Sequence, residues 1–154
     1  MTDPRFLSII PIARASHAKF RPRGPFISIS TGQWALESGY GLHMSGINNP
    51  FGIKATQAQR EMGYARMVLT HEYINGHYVV MEQWFANYDS LEAAFNAHAT
   101  LLTTPHYQRC MDAQTPAEYA NALHLCGYAT APNYASALMS VIHANSLTQY
   151  DEAP

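Results

Sequence analysis

The stretch Met67-Val68-Leu69-Thr70-His71-Glu72-Tyr73-Ile74-Asn75-Gly76-His77-Tyr78-Val79-Val80-Met81-Glu82-Gln83-Trp84-Phe85 decides the architecture. Two β-prone runs flank Asn75-Gly76. A type I′ turn needs positive φ at both central residues, and asparagine followed by glycine meets that need best. The stretch therefore reads as a β-hairpin with Glu72 near its tip. Working outward, the chain reads as helix on both sides. Residues 3–20 carry Phe6, Leu7, Ile9, Ile10, Ile12 and Ala13 at helical spacing. Pro11 is awkward only if a first turn precedes it, since an interior proline costs about 3 kcal/mol. Arg21-Pro22-Arg23-Gly24-Pro25 is a turn, and from Phe26 the apolar residues Ile27, Ile29, Trp34, Ala35 and Leu36 begin a second helix that stops at Gly39 and Gly41.

Residues 46–54 form a loop with turn chemistry at Asn48-Asn49-Pro50. Beyond the hairpin, Asp89 opens a helix running to about Leu102. Thr115-Pro116-Ala117-Glu118 combines a capping box with proline at the first helical position. Pro132 opens a last helix whose Ala135, Leu138, Met139 and Ile142 share one face, and Asp151-Glu152-Ala153-Pro154 reads as a frayed end. The fold class is α+β, mainly α, a helical domain with one hairpin inserted before the middle.

Composition excludes several function classes. The 154 residues suffice for one domain over 1–154, with a core over about 5–145. Hydrophobic residues at 47% and charged residues at 13% argue against disorder. The net charge of −2 offers no basic surface for nucleic acid, and Lys19-Phe20-Arg21-Pro22-Arg23 reads as a solvated helix end and turn. No stretch approaches the ~20 apolar residues of a membrane helix. Met1-Thr2-Asp3-Pro4-Arg5 does not read as a signal peptide. Cys110 and Cys126, with 15 residues between them, lie in no metal-ligand spacing and read as two buried thiols or a disulfide formed after export. His71-Glu72 lacks the second histidine four residues on that a zinc-protease helix requires, Asn75 standing there, so no metal site is expected.

The chemistry points to Glu37, in Ala35-Leu36-Glu37-Ser38-Gly39-Tyr40-Gly41, at the end of the apolar second helix and facing the loop that holds Phe51-Gly52-Ile53-Lys54-Ala55. A carboxyl in a partly apolar cleft has its ionised form disfavoured, holds its proton near neutral pH and can protonate a glycosidic oxygen. Three blocks, in this order and spacing, resemble the bacterial endo-β-N-acetylglucosaminidases that cut peptidoglycan. They are Ala35 to Gly41 with Asn48 to Ala55, Thr70 to Gly76 continuing to Phe85-Ala86-Asn87-Tyr88-Asp89-Ser90-Leu91, and Gly127-Tyr128-Ala129-Thr130-Ala131-Pro132-Asn133-Tyr134-Ala135.

The resemblance implies a lysozyme-like fold with a helical lobe and one small β-hairpin lobe flanking the cleft, Glu37 as proton donor and Glu72 as a second carboxylate working from the β lobe. Inverting, retaining and substrate-assisted routes all remain open. It places Tyr128 and Tyr134 near the cleft, where a ring can stack on a sugar and a hydroxyl can bond it. It puts Tyr40, Asn49, Phe51 and Lys54 among candidate substrate-binding residues, with Phe51 also suited to packing and Asn49 to holding the turn. Ala131 stands where the family carries an acidic residue, and Pro50 where it carries an aliphatic one. No cofactor is implied. The implied partners are peptidoglycan strands and, for an antibacterial effector, an immunity protein that occludes the cleft. Such a protein would be made in the cytoplasm of a bacterial or phage-infected cell and act in a periplasm or cell wall, as effector or as phage lysin. A muramidase or lytic transglycosylase, or a glycan-binding module without activity, are the alternatives.

Overall fold

The computed structural model describes residues 1–151. Its first element departs from the continuous helix expected over 3–20. Pro4–Ser8 forms a 3₁₀ turn, capped by the Asp3 carboxylate accepting from the Arg5 N–H, and a separate helix, α1 (Ile10–Lys19), follows. Pro11 lies in the first turn of α1, where its missing N–H leaves no intrahelical bond unmade.

Helix α2 (Ile27–Ser38) is the axis of the domain. All of its residues are buried except Leu36 and Glu37. A helix apolar or neutral all round belongs in a core, and α2 packs against α1, α6 (Pro116–Leu125) and α7 (Tyr134–Ala144). Helix α4 (Leu91–Leu102) lies against α1 and supplies Phe95, Ala99 and Leu102 to the interior. Two short helices, α3 (Gln57–Glu61) and α5 (Gln108–Met111), complete the set. Gly39 ends α2 in the left-handed region at φ 55°, its N–H returning to the Ala35 carbonyl.

The hairpin forms as its turn chemistry requires, β1 (Ala65–Ile74) pairing antiparallel with β2 (His77–Ala86) across Asn75 and Gly76, both at positive φ. Glu72 pairs with Val79, and Phe85 with Arg66. Partners and alternate residues share a face, so Glu72 and Phe85 look out on the same side. The opposite face carries Met67, Leu69, Tyr78 and Val80, all exposed. An isolated two-stranded hairpin is marginal in water. This one is anchored at its base: the Ala55 N–H donates to the Trp84 carbonyl at 2.8 Å and the Ala86 N–H to the Ile53 carbonyl at 2.9 Å. Gly46 fits beneath this junction because it has no Cβ, which would overlap the Ala86 carbonyl oxygen.

Smaller corrections follow from cap geometry. Ser90, not Asp89, caps α4, its hydroxyl accepting from the Ala93 N–H. Thr115 caps α6 as expected, but the Glu118 carboxylate accepts from the Gln114 N–H, so the box is displaced by one residue. Helix α7 begins at Tyr134, two residues after Pro132. Cys110 and Cys126 are free thiols, the first buried and the second half-buried, and burial pushes the Cys110 thiol up to about 12.

The two ends of the described chain meet. The Thr2 hydroxyl donates to the Asn145 carbonyl at 2.8 Å, and the Asp3 N–H to the Asn145 side-chain oxygen at 3.0 Å. Asp151, expected to fray, instead accepts from the Ser28 N–H at 2.7 Å at the start of α2. Residues 152–154 of that expected frayed end lie outside the described residues.

Candidate active site

Because Leu36 and Glu37 alone emerge from α2, the last turn of that helix forms a wall of the cleft that runs between the lobes. The cavity is about 740 Å³. Glu37 faces it from the helical lobe and Glu72 from the hairpin, while Lys54, Tyr128 and Tyr134 also line it. Burial raises the Glu37 pKa above the ordinary carboxylate range, and a hydrogen bond from Tyr134 opposes part of that rise. Tyr128 and Tyr134 are pushed well above the usual phenol value by burial and by the Glu37 charge, so both stay protonated and can donate.

The sequence-derived site residues separate into two groups. Glu37, Glu72, Phe51, Lys54, Tyr128 and Tyr134 come together around the cavity. Phe51 is itself 2% exposed, its ring stacked on His98 with centroids 3.9 Å apart, so its part in the wall is packing. Its carbonyl accepts from the Tyr128 hydroxyl at 3.3 Å, which turns that hydroxyl away from a ligand and leaves the ring. Tyr40 and Asn49 are not brought to the cleft surface. Tyr40 follows Gly39 at φ 61° and packs edge-on against Phe6 and Trp34, with the Arg5 guanidinium 3.8 Å above its ring. Asn49 is fully buried. Its amide donates to the carbonyls of Ile53 and Ala86, each at 2.9 Å, and its oxygen accepts from the Ile53 N–H at 3.1 Å. It holds the loop to the hairpin base and has no surface left for a sugar.

Sequence reasoning missed several cleft residues, among them Ser45, Tyr107, Thr130 and Asn133. Thr130 has a second part: its hydroxyl accepts from the Tyr73 N–H at 3.3 Å, joining the hairpin tip to the loop before α7. Also missed were Gln33 and His98 behind the wall. Gln33 lies one helical turn before Glu37 and so on the same face of α2, a signal present in the spacing. Among the described residues, no group of three or more histidine, cysteine, aspartate or glutamate side chains is placed to hold a metal ion.

A raised carboxyl pKa has a stability consequence of definite sign. The folded state holds the Glu37 proton more tightly than the unfolded chain, so folding loses stability as pH rises from the unfolded value of 4.5 through the higher folded one. Glu37→Gln removes that cost. Its melting temperature is therefore expected to exceed the wild type's at pH 7 and to match it at pH 4, as read by circular dichroism. An increase that is equal at both pH values would show that ionisation of Glu37 is not its source.

Similarity to known proteins agrees with this geometry. A family model described as mannosyl-glycoprotein endo-beta-N-acetylglucosaminidase, of the glucosaminidase family, matches residues 19–147. The peptidoglycan hydrolase FlgJ of Salmonella typhimurium is 39% identical over 117 residues, covering 71% of this chain and 36% of that protein. A probable N-acetylmuramidase of Lactococcus lactis is 32% identical over 140 residues, covering 84% of this chain and 31% of that protein. The chain thus spans about a third of the length of these curated relatives. A crystal structure of a peptidoglycan hydrolase mutant from Sphingomonas sp. A1 superposes with a TM-score of 0.81 at 32% identity, covering 95% of this chain and 96% of the other. With a lysozyme-like arrangement of a helical lobe and a small β lobe, the chain belongs to the glucosaminidase family.

Proposed function

We propose that the protein hydrolyses bacterial peptidoglycan as an endo-β-N-acetylglucosaminidase, cutting the β-1,4 bond between N-acetylglucosamine and N-acetylmuramic acid. The observation that carries this reading is a half-buried Glu37 of raised pKa in a cleft, faced by a second carboxylate, Glu72, on a separate lobe. The family description names a glycoprotein substrate and the similar proteins name peptidoglycan; the two share an N-acetylglucosamine unit, and the greater weight of peptidoglycan hydrolases among the relatives favours the wall.

In this mechanism Glu37 enters protonated and gives its proton to the departing sugar oxygen. Glu72 activates water on the opposite face of the ring or orients the substrate's own N-acetyl group. The exposed Lys54 lines the same cleft and contributes positive charge to it. The ring of Tyr128 offers an apolar face on which a pyranose can stack.

The probable N-acetylmuramidase among the relatives keeps the neighbouring bond in play as the second reading. Digestion of purified sacculi, followed by mass spectrometry of the released ends, separates the two. Reducing N-acetylglucosamine ends are expected. Reducing muramic ends would assign a muramidase, and anhydro-muramic ends with full activity in Glu72→Gln would assign a lytic transglycosylase, which manages with one catalytic carboxyl.

The resemblance also supports a setting: an antibacterial effector acting in the periplasm of a target cell, with an immunity protein seated in the cleft. Expression with an added export signal in a Gram-negative host is expected to lyse it, and cytoplasmic expression to leave it intact. Survival under both would remove the effector reading.

A further inference from the structure

Behind Glu37 runs a line of polar side chains in an otherwise apolar core. His98, Gln33 and Tyr134 are buried, at 0%, 0% and 4% exposure. The His98 Nε2 lies 2.7 Å from the Gln33 Oε1 and the Gln33 Nε2 donates to the Tyr134 hydroxyl at 2.8 Å, while Tyr134 lines the cleft with Glu37 and its hydroxyl holds the Glu37 pKa down against the effect of burial. We propose that Gln33 and His98 are positioning residues for Glu37, holding the Tyr134 hydroxyl at the end of a buried, one-directional chain of hydrogen bonds so that it donates toward the Glu37 carboxyl. The proposal rests on the reading of Glu37 as the acid.

The direction follows from the end of the chain. An ionised carboxylate can only accept, so Tyr134 must donate to it. The phenol oxygen must then accept from the Gln33 amide nitrogen, which leaves the amide oxygen toward His98 and the proton on the His98 Nε2. The His98 Nδ1 has no partner, so nothing draws the ring the other way, and Phe51 stacked on it at 16° fixes its plane. Burial keeps His98 neutral, its pKa lowered to about 3, so it acts as a fixed dipole and carries no charge.

Polar groups in a core are costly without partners. Here each is satisfied toward the acid, and a phenol held in place by a donor behind it needs no reorientation when the carboxylate appears in the transition state. The titratable groups that line the cleft with Glu37 are Tyr134 on α7 and Tyr128 in the loop before it, both of which feel its charge, with Lys54 and Glu72 on the hairpin side and Tyr107 in the same lining. Gln33→Glu and His98→Phe alter none of them directly.

Gln33→Glu keeps the volume but accepts at both ends, so Tyr134 turns its proton from Glu37 to the new carboxylate. His98→Phe keeps a flat ring against Phe51 and removes the donor. With solubilised glycan strands, kcat is expected to fall about tenfold in Gln33→Glu and several-fold in His98→Phe, the scale of one hydrogen bond to a charged group. KM is expected to stay within about twofold in both, because the pair touches no substrate. The alkaline limb of the kcat profile should move up, since Glu37 loses a group that favours its ionised form. An unmoved limb, with kcat lowered only in proportion to the folded fraction, would reduce the pair to core residues and overturn the proposal. Tyr134→Phe deletes a single oxygen and carries the same test if both buried variants fail to fold; there, too, an unmoved limb overturns it. Full activity in Glu37→Gln would instead sink the acid reading, a result that no Gln33 profile can imitate.

Discussion

Glu37→Gln is expected to slow the release of glycan fragments from sacculi by about 10²–10⁴-fold, the usual worth of a positioned general acid. The amide is the same size as the carboxyl and cannot give up a proton to the departing oxygen. Because Glu37 lies at the surface end of α2 and its neighbours are cleft residues, the substitution leaves the core untouched. Binding to sacculi should therefore persist while turnover falls, and a pull-down beside a turbidity assay reads both. Equal lysis by the two proteins would remove Glu37 from the chemistry, and binding without lysis by either would leave a glycan-binding module.

The largest expected effect on stability is at Asn49. One side chain satisfies three backbone groups, the Ile53 N–H and the carbonyls of Ile53 and Ala86, at a fully buried position. Asn49→Ala leaves those groups short of partners, each costing about 1–3 kcal/mol less whatever water recovers. A total near 3 kcal/mol corresponds to a fall in melting temperature of roughly 6–12 °C for a domain of this size. Activity should fall further than the folded fraction accounts for, because the same bonds hold the loop against the hairpin that carries Glu72. A melting temperature within about 2 °C of wild type, on that same scaling, would show that the loop is held by other means.

Local rules made much of this structure legible. Asn75-Gly76 demands a tight hairpin, and the glycines after Glu37 demand the end of a helix, so local sequence alone puts the principal carboxyl on its turn. What stayed hidden was decided by geometry with no local signature. Pro11 is compatible with a helix starting at Ile10 or with a kinked longer one, and only the 3₁₀ turn before it settles which. Asp89 and Ser90 are both good caps, and the choice rests on whose oxygen reaches the Ala93 N–H. Tyr40 lies three residues from Glu37, yet a left-handed glycine between them sends its ring to the opposite side. The pairing of Gln33 with His98 spans 65 residues and appears only once α2 and α4 are packed.

The meeting of Thr2 and Asp3 with Asn145 bears on how freely the chain could be rewired. Those bonds close a loop of nearly the whole described sequence, yet closure entropy grows only with the logarithm of length, so joining ends that already touch adds little strain. A circular permutant with its old ends linked by a few glycines and new ones opened at the exposed Asn75-Gly76 turn would keep every covalent neighbour of Glu37. It would cut the one connection that makes the hairpin a hairpin, leaving its two strands to find each other as separate tails of the same molecule. In such a protein the carboxyl on the helical lobe and the carboxyl on the β lobe become separable parts, and the order in which the two halves of the cleft assemble becomes an experimental variable.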